Sequence, residues 1–330
     1  MRSILFYISG HGYGHVVRTG EVIRALQQIR PDWRISARTQ APRHMLPDGV
    51  DVSVGEFESG VIEREAGVVM DEQATLERLK KLVARWDLLV AKEVSLARDQ
   101  RVDLIVADIP PIAGDIAAAL GVPCIAIANF TWDWIYEPYA ANYLDRLEQS
   151  YARMSVLLRL PFYQSSRLNV FPRIVDAPLI ARKSHVQTRA GNRVLLGSRA
   201  QVSADAYARA TASAPEYEFV TPGPGEHFTD VLASCDLAIA KLGFSMLAEC
   251  IANNKPLLYP PRENFREEGI LQQHVNEHIP ALAIPLEDFY RGNWGEYLRK
   301  LCSEPYRHSR IDTDGARFCA EYVASYVEKG

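Results

Sequence analysis

The apolar positions of this chain change period as it runs. Residues 3–9 form an almost unbroken apolar run, the pattern of a strand covered on both faces. Over 15–29 the apolar residues Val16, Val17, Val22, Ile23, Leu26 and Ile29 fall at near-helical spacing, which predicts a helix. Short strands are predicted at 34–39 and 50–54. One long helix is predicted over 71–100, with Leu76, Leu79, Leu82, Val83, Trp86, Leu89, Val90 and Val94 in a single stripe. Residues 104–107 read as a strand ending at Asp108, 112–120 as a helix and 124–128 as a strand. Repeated strand–helix units with apolar strands imply a parallel sheet covered on both faces.

From about 160 to 193 the periodicity fades, and Pro161, Pro172 and Pro178 interrupt the chain. The connection between two domains is expected there. A second series follows, with strands at 193–196, 217–221, 237–240 and 256–259 and helices at 204–212, 228–233 and 245–251. A polar loop is expected at 262–273, and a last helix over 313–326. A length of 330 residues exceeds one ordinary core and suits two domains.

Composition narrows the function classes. A net charge of −4 argues against a broad nucleic-acid footprint and leaves room for a local phosphate pocket. No apolar run approaches the ~20 residues of a membrane span. The apolar start passes straight into a glycine-rich turn, so it reads as a buried strand and not as a signal peptide. The five cysteines form no C-x-x-C pair, and their apolar surroundings predict buried thiols in a reducing cytoplasm.

Three segments carry candidate chemistry. SGHGYGH, at 9–15, joins a strand to a helix. Its glycines allow close backbone approach, the helix N-terminus offers free N–H groups, and His11 and His15 bring proton-transfer groups to the carboxyl edge of the sheet. The plainer alternative is a histidine that merely caps or packs the turn. Asp108, at a strand end, is placed to orient an imidazole, or else to cap the next helix. AKLGFSMLAEC, at 240–250, is again a strand, glycine turn and helix. Gly243, Lys241, Ser245 and the helix amides suit phosphate, and Glu249 suits ribose hydroxyls. For Glu249 the alternative is a solvated helix face. The same candidate donor site takes in Gly197, Ser198 and Phe244, while Glu267, Glu268 and Gln272 in the polar loop suit sugar hydroxyls.

Together these segments resemble GT-B glycosyltransferases, most of all the glycosyltransferase-like amino-terminal region of plant-type L-arabinokinases. The resemblance rests on GHGYGH at 10–15, DIPP at 108–111, NFTWDWIY at 129–136 and KLGFSMLAE at 241–249. RLPFYQ at 159–164, DAPLIAR at 176–182 and NFREEGIL at 264–271 add to it. More distantly, the pattern is similar to the lipid-linked N-acetylglucosaminyltransferase of peptidoglycan synthesis and to plant UDP-sugar transferases. Met246 stands where the arabinokinase-like pattern has threonine, and the acidic NFREEGIL loop replaces the D-Q pair of the plant enzymes. No galactokinase-type region follows, so sugar-kinase activity is not implied.

The resemblance implies an α/β GT-B fold, with two Rossmann-like domains whose parallel sheets face a central cleft. Residues 1–165, joined by the helix at about 313–330, would bind the acceptor, and 166–312 the nucleotide-sugar donor. It implies a cytoplasmic hexosyl- or pentosyltransferase that moves a sugar from a UDP-type donor with inversion. No metal or other cofactor is expected. His15, or else His11, is the expected base and Asp108 its support, with Lys241 at the phosphates and Glu249 at the ribose. Gly12, Tyr13, Gly14, Arg18, Trp132 and Asp133 are the expected acceptor contacts, Arg18 for an anionic acceptor group. Partners are then a nucleotide-sugar and a small-molecule or glycan acceptor, with peripheral membrane contact left open. Two rivals share the fold: a non-hydrolysing nucleotide-sugar epimerase using Glu267 and Glu268, and a non-catalytic nucleotide-sugar binding protein.

Overall fold

The computed structural model describes residues 2–64, 69–188, 191–197, 202–305 and 308–329. In chain order its strands are β1 (Ser3–Ile8), β2 (Arg34–Arg38), β3 (Asp51–Ser53), β4 (Glu63–Arg64), β5 (Val69–Met70), β6 (Leu104–Asp108) and β7 (Cys124–Ala128). They continue with β8 (Val156–Arg159), β9 (Ile174–Asp176), β10 (Arg193–Leu196), β11 (Glu218–Val220), β12 (Leu237–Ile239), β13 (Leu257–Tyr259) and β14 (Ala281–Ala283). The chain divides into two units. Unit 1 comprises Met1–Ile62, Asp71–Ile180 and Asp312–Gly330; unit 2 comprises Glu63–Met70 and Ala181–Ile311.

The sheet of unit 1 runs β3-β2-β1-β6-β7-β8-β9, with every pairing parallel. All residues of β1, β6 and β7 are buried, as their unbroken apolar runs require when helices cover both faces. From β1 the chain steps outward through β2 to β3, then returns to the other flank of β1 as β6. The strand order therefore reverses between β1 and β6, the position at which open α/β sheets form a ligand crevice. The last helix, Gly315–Lys329, packs on the first, Gly14–Ile29, and Arg30 pairs with Glu328 between them.

The expected long helix is two helices, Glu72–Ala84 and Trp86–Asp99, separated by Arg85 at φ −109° and ψ 8°. Leu79, Leu82, Trp86, Leu89 and Val94 are all buried across the break, so the apolar stripe hides it. The stretch 160–193 is not all connection. Ile174–Asp176 closes the unit 1 sheet as β9 beside β8, so the expected boundary at 165/166 falls inside unit 1. The helix Ala141–Tyr151 and β8 are additions to the predicted series.

Unit 2 repeats the plan with a parallel sheet, β11-β10-β12-β13-β14. Its order reverses between β10 and β12. The antiparallel pair β4–β5 belongs to this unit, and Val69 bridges to Glu263. A helix, Arg266–His278, stands where a polar loop was expected. Glu267 and Glu268 occupy its first turn, where carboxylates favour the helix dipole, and Leu271 and Val275 are buried one turn apart. No described helix is long and apolar enough to cross a membrane.

Candidate active site

At the reversal point of unit 1, β1 and β6 lie side by side with Ile8 opposite Asp108, and the Ser9 N–H donates to the Asp108 carbonyl at 2.7 Å. The glycine turn leaves β1 here. Gly12 takes φ +64°, the left-handed conformation that a side chain disfavours, and the helix starts at Gly14. His15 thereby comes down on Asp108, its Nδ1 2.8 Å from Oδ1.

Asp108 is fully buried and accepts from three side chains. Besides His15, Arg18 donates from Nε to Oδ2 at 2.7 Å and from Nη2 to Oδ1, and Thr19 Oγ1 donates to Oδ2 at 2.6 Å. Burial by itself would raise the Asp108 pKa. The Arg18 charge, His15 and the hydrogen bonds they donate outweigh it, holding the carboxyl well below the usual carboxylate range. An ionised Asp108 only accepts, so His15 Nδ1 carries the proton in that bond. The Arg18 Nη2 atom 3.1 Å from Nδ1 is then a side contact of the Arg18–Asp108 fork. Arg18 Nη1 also donates to Asn129 at 3.0 Å.

Aromatic rings wall the imidazoles. Phe130 lies edge-on to His15 with centroids 5.9 Å apart, and His11 lies edge-on to Trp132 at 5.4 Å. Trp132 in turn stacks on Tyr136 at 5.6 Å. Behind the turn sits Glu58, whose Oε1 accepts from Ser9 Oγ at 2.9 Å and from the Gly10 N–H. Burial raises the Glu58 pKa against the pull of His15 and the hydrogen bonds from Gly10 and Ser9.

In unit 2 the reversal point brings Gly197 against the end of β12. A Cβ added at Gly197 would sit 2.8 Å from the Ala240 Cβ, so only glycine fits. Lys241 follows, and Gly243 caps the helix Phe244–Ala252, with open space above it. Lys241 Nζ lies 3.5 Å from Glu63, which also lies 3.6 Å from Arg262. Burial lowers the Lys241 pKa, and Glu63 works against that. Arg262 is fixed by Glu268, which accepts from its Nε at 2.6 Å and its N–H at 2.8 Å. Glu249 is buried; it accepts from Arg182 Nε at 2.6 Å and faces Thr229 Oγ1 at 3.4 Å.

A family model described as glycosyl transferase family 1 matches residues 2–188, more than half of the sequence. The chain belongs to glycosyl transferase family 1. The L-arabinokinase of Arabidopsis thaliana is 26% identical to this chain over 341 residues, covering 90% of this chain and 32% of that protein. The chain thus spans about a third of the length of that curated relative, as the 32% states. Among solved structures, spinosyn rhamnosyltransferase SpnG complexed with thymidine diphosphate aligns at a TM-score of 0.60 and 13% identity, over 100% of this chain and 96% of that one. Phytolacca americana UGT2, complexed with UDP-2fluoro-glucose and pterostilbene, aligns at 0.58 and 14%, over 99% and 100%. At these identities the likeness concerns the fold. The chain has the α/β GT-B fold implied by its sequence, with two Rossmann-like domains.

Within this family member, the structure brings His15 and Asp108 into direct contact, and Asp108 caps no helix, since the next one begins at Ile112 behind Pro111. His11 stands half-buried at the rim, and Gly12 and Tyr13 are exposed beside it. Arg18 does not face an acceptor. It is buried, and Asp108 and Asn129 take up its guanidinium. Asp133 is likewise turned inward, fully buried with Arg167 3.4 Å away, and burial raises its pKa. Trp132 is a buried wall under the histidines, not an exposed platform. In unit 2, Lys241, Gly243 and Ser245 share one helix start, and Glu249 is no solvated face. Phe244 is buried. Glu268 turns to Arg262 and Gln272 donates to Glu268 at 3.1 Å, so these two hold each other and Arg262; Glu267 is buried in the same turn. Ser198 lies outside the described residues. Thr19, Asn129, Glu58, Glu63, Arg182 and Arg262 complete the two clusters and were not foreseen as site residues. Arg182 ends the DAPLIAR segment and Asn129 opens NFTWDWIY, so both lay within reach; Glu63 comes from a distant stretch with no sequence signal.

Proposed function

We propose that the protein transfers a sugar from a nucleoside diphosphate sugar, UDP-linked in the first instance, to a hydroxyl acceptor with inversion at the anomeric carbon. The observation that carries the reading is the Asp108-bound imidazole of His15 at the reversal point of a GT-B amino-terminal sheet. Asp108 holds Nδ1, which leaves Nε2 to take the acceptor hydroxyl's proton as that oxygen attacks the anomeric carbon. Arg18 and Thr19 keep Asp108 ionised and in place. The nucleoside diphosphate leaves with the electrons of the broken glycosidic bond. Lys241, Arg262 and the amides at the start of Phe244–Ala252 stabilise its charge, a task that needs no metal ion. Glu249, held by Arg182, receives the ribose hydroxyls. Thymidine diphosphate in SpnG and the UDP donor in the Phytolacca enzyme make the uridine and thymidine series the donors to test first. Glu268, one of the two carboxylates that an epimerase reading would use, is engaged by Arg262, which favours transfer.

The test is incubation of the protein with UDP- and TDP-sugars, with and without an acceptor panel. Nucleotide release that needs an acceptor supports transfer; epimer formation without an acceptor, or donor binding without any turnover, overturns it. A bound donor at 100 times its dissociation constant should add about 2.7 kcal/mol of stability, so thermal shift finds the donor first. Glu249→Gln is expected to weaken UDP binding by about 1.5–3 kcal/mol, the range for hydrogen bonds to a charged group, read by calorimetry. Unchanged affinity in the folded variant would remove Glu249 from the ribose site.

A further inference from the structure

Behind the glycine turn, unit 1 contains a second feature with chemistry of its own. A cavity of about 170 Å³ is lined by Gln40, Glu56, Glu58, Arg78, Lys81 and Arg85. Gln40 follows β2 and Glu56 and Glu58 follow β3, so the cavity lies at the same carboxyl edge of the sheet as His15 and Asp108. Glu58 is a shared wall. Its Oε1 holds Ser9 and Gly10 of the histidine turn, while its buried Oε2 has no hydrogen-bond partner. The volume is below the roughly 300–1,000 Å³ of a site that takes a whole small molecule, so it suits one functional group of a ligand held elsewhere.

The charges in this cavity do not cancel. Arg78, Lys81 and Arg85 recur at intervals of three and four residues, which puts them on one face at the end of helix Glu72–Ala84. Arg85 is paired with Glu56 at 3.2 Å. Glu58 is committed to the turn, and its burial favours the neutral acid. Arg78 and Lys81 are exposed, and they act on Glu58 and Glu77 respectively through charge, with no hydrogen bond to them. Two exposed cations at a small polar cavity form a receptor for an anionic group.

We propose that this cavity is the acceptor's anion subsite, and that the acceptor is an acidic molecule, a sugar acid or sugar phosphate whose carboxylate or phosphate is held by Arg78 and Lys81. The inference rests on the assignment of unit 1 to the acceptor. It moves the recognition of an acidic group from Arg18, whose charge Asp108 consumes, to the helix face beyond Glu58. The competing account is that Arg78 serves only as a counter-charge to Glu58.

Calorimetry with glucuronate, glucose 6-phosphate and glucose separates the two accounts. The proteins compared are the wild type, Arg78→Gln/Lys81→Gln, and Lys80→Gln as a control on a lysine paired with Glu77 outside the cavity. Charge-assisted hydrogen bonds of about 1.5–3 kcal/mol correspond to roughly 10–100-fold in affinity. The acidic probes are therefore expected to bind the wild type and Lys80→Gln at least about tenfold more tightly than glucose. The double variant should lose most of that margin, and added salt should erode the margin in the wild type. Acidic probes that bind no better than glucose, or a margin that survives in the double variant, overturn the proposal. Nucleotide release is assayed in parallel. If no acceptor elicits it, the transfer reading fails on its own, and the calorimetric margin still decides the subsite.

Discussion

Replacing His15 by alanine is expected to lower turnover by about 10²–10⁴-fold, the usual contribution of a positioned general base. Nucleotide affinity should stay as it is, because the nucleotide contacts are assigned to unit 2. The expectation follows from how the imidazole is held. Its Nδ1 is fixed on a carboxylate 2.8 Å away, and Phe130 and Trp132 restrict the ring's tilt. Only Nε2 is left to exchange a proton, and alanine leaves nothing in its place. The measurement is kcat with a saturating donor, beside calorimetry with UDP. His11→Ala is the companion variant. His11 is half-buried and leans edge-on against Trp132, whereas it is His15 that Asp108 holds, so the loss of His11 should cost much less. A larger loss at His11 would move the base there, and full turnover in both variants would remove catalysis from the turn.

How far the sequence reaches this site depends on the scale of the interaction. Strand and helix periods are local properties, so β1, β6, β7 and β10, and the helices that follow β1, β6 and β10, stand where the apolar runs place them. The two chemical turns are legible for the same reason: GHGYGH and KLGFSMLAE each sit between a strand and a helix, and parallel topology puts such turns on one edge. What the pattern conceals is partnership. Arg18 looks like a surface cation one turn into a helix, yet the parallel pairing of β1 and β6 puts Asp108 beneath it, and the charge is consumed inside. Asp133 and Glu268 mislead in the same way, because a carboxylate in a polar-looking segment gives no local sign of burial. The break at Arg85 is invisible because the apolar stripe keeps its phase across it. Glu63 reaches Lys241 and Arg262 from far along the chain, a relation that only the three-dimensional placement of β4 supplies.

Asp108→Asn is expected to destabilise the fold by about 3–5 kcal/mol, the cost of leaving one member of a buried ion pair without its partner. Every group around Asp108 is a donor: His15 Nδ1, Arg18 Nε and Nη2, and Thr19 Oγ1. A carboxylate satisfies them with two oxygens. An amide offers one oxygen and turns an N–H₂ group toward donors, while the Arg18 charge stays buried and uncompensated. Urea unfolding at neutral pH reads the loss. Its pH dependence has a fixed sign. The folded pKa of Asp108 is depressed, so its contribution is fully present above the unfolded value of about 3.9 and is lost as pH falls below that toward the lower folded value. The gap between wild type and variant should therefore be full at pH 7 and narrow only below about pH 4. Glu58, whose pKa burial raises, acts in the opposite sense, and comparing the two proteins at each pH removes its effect to first order. A second substitution, Arg18→Met, should recover part of the loss by removing the orphaned charge, with the coupling read from the double-mutant cycle. A gap under about 1 kcal/mol, or a gap that stays constant from pH 7 to pH 3, would mean that the Arg18–Asp108 pair neither holds this sheet edge together nor keeps the carboxylate charged beneath His15.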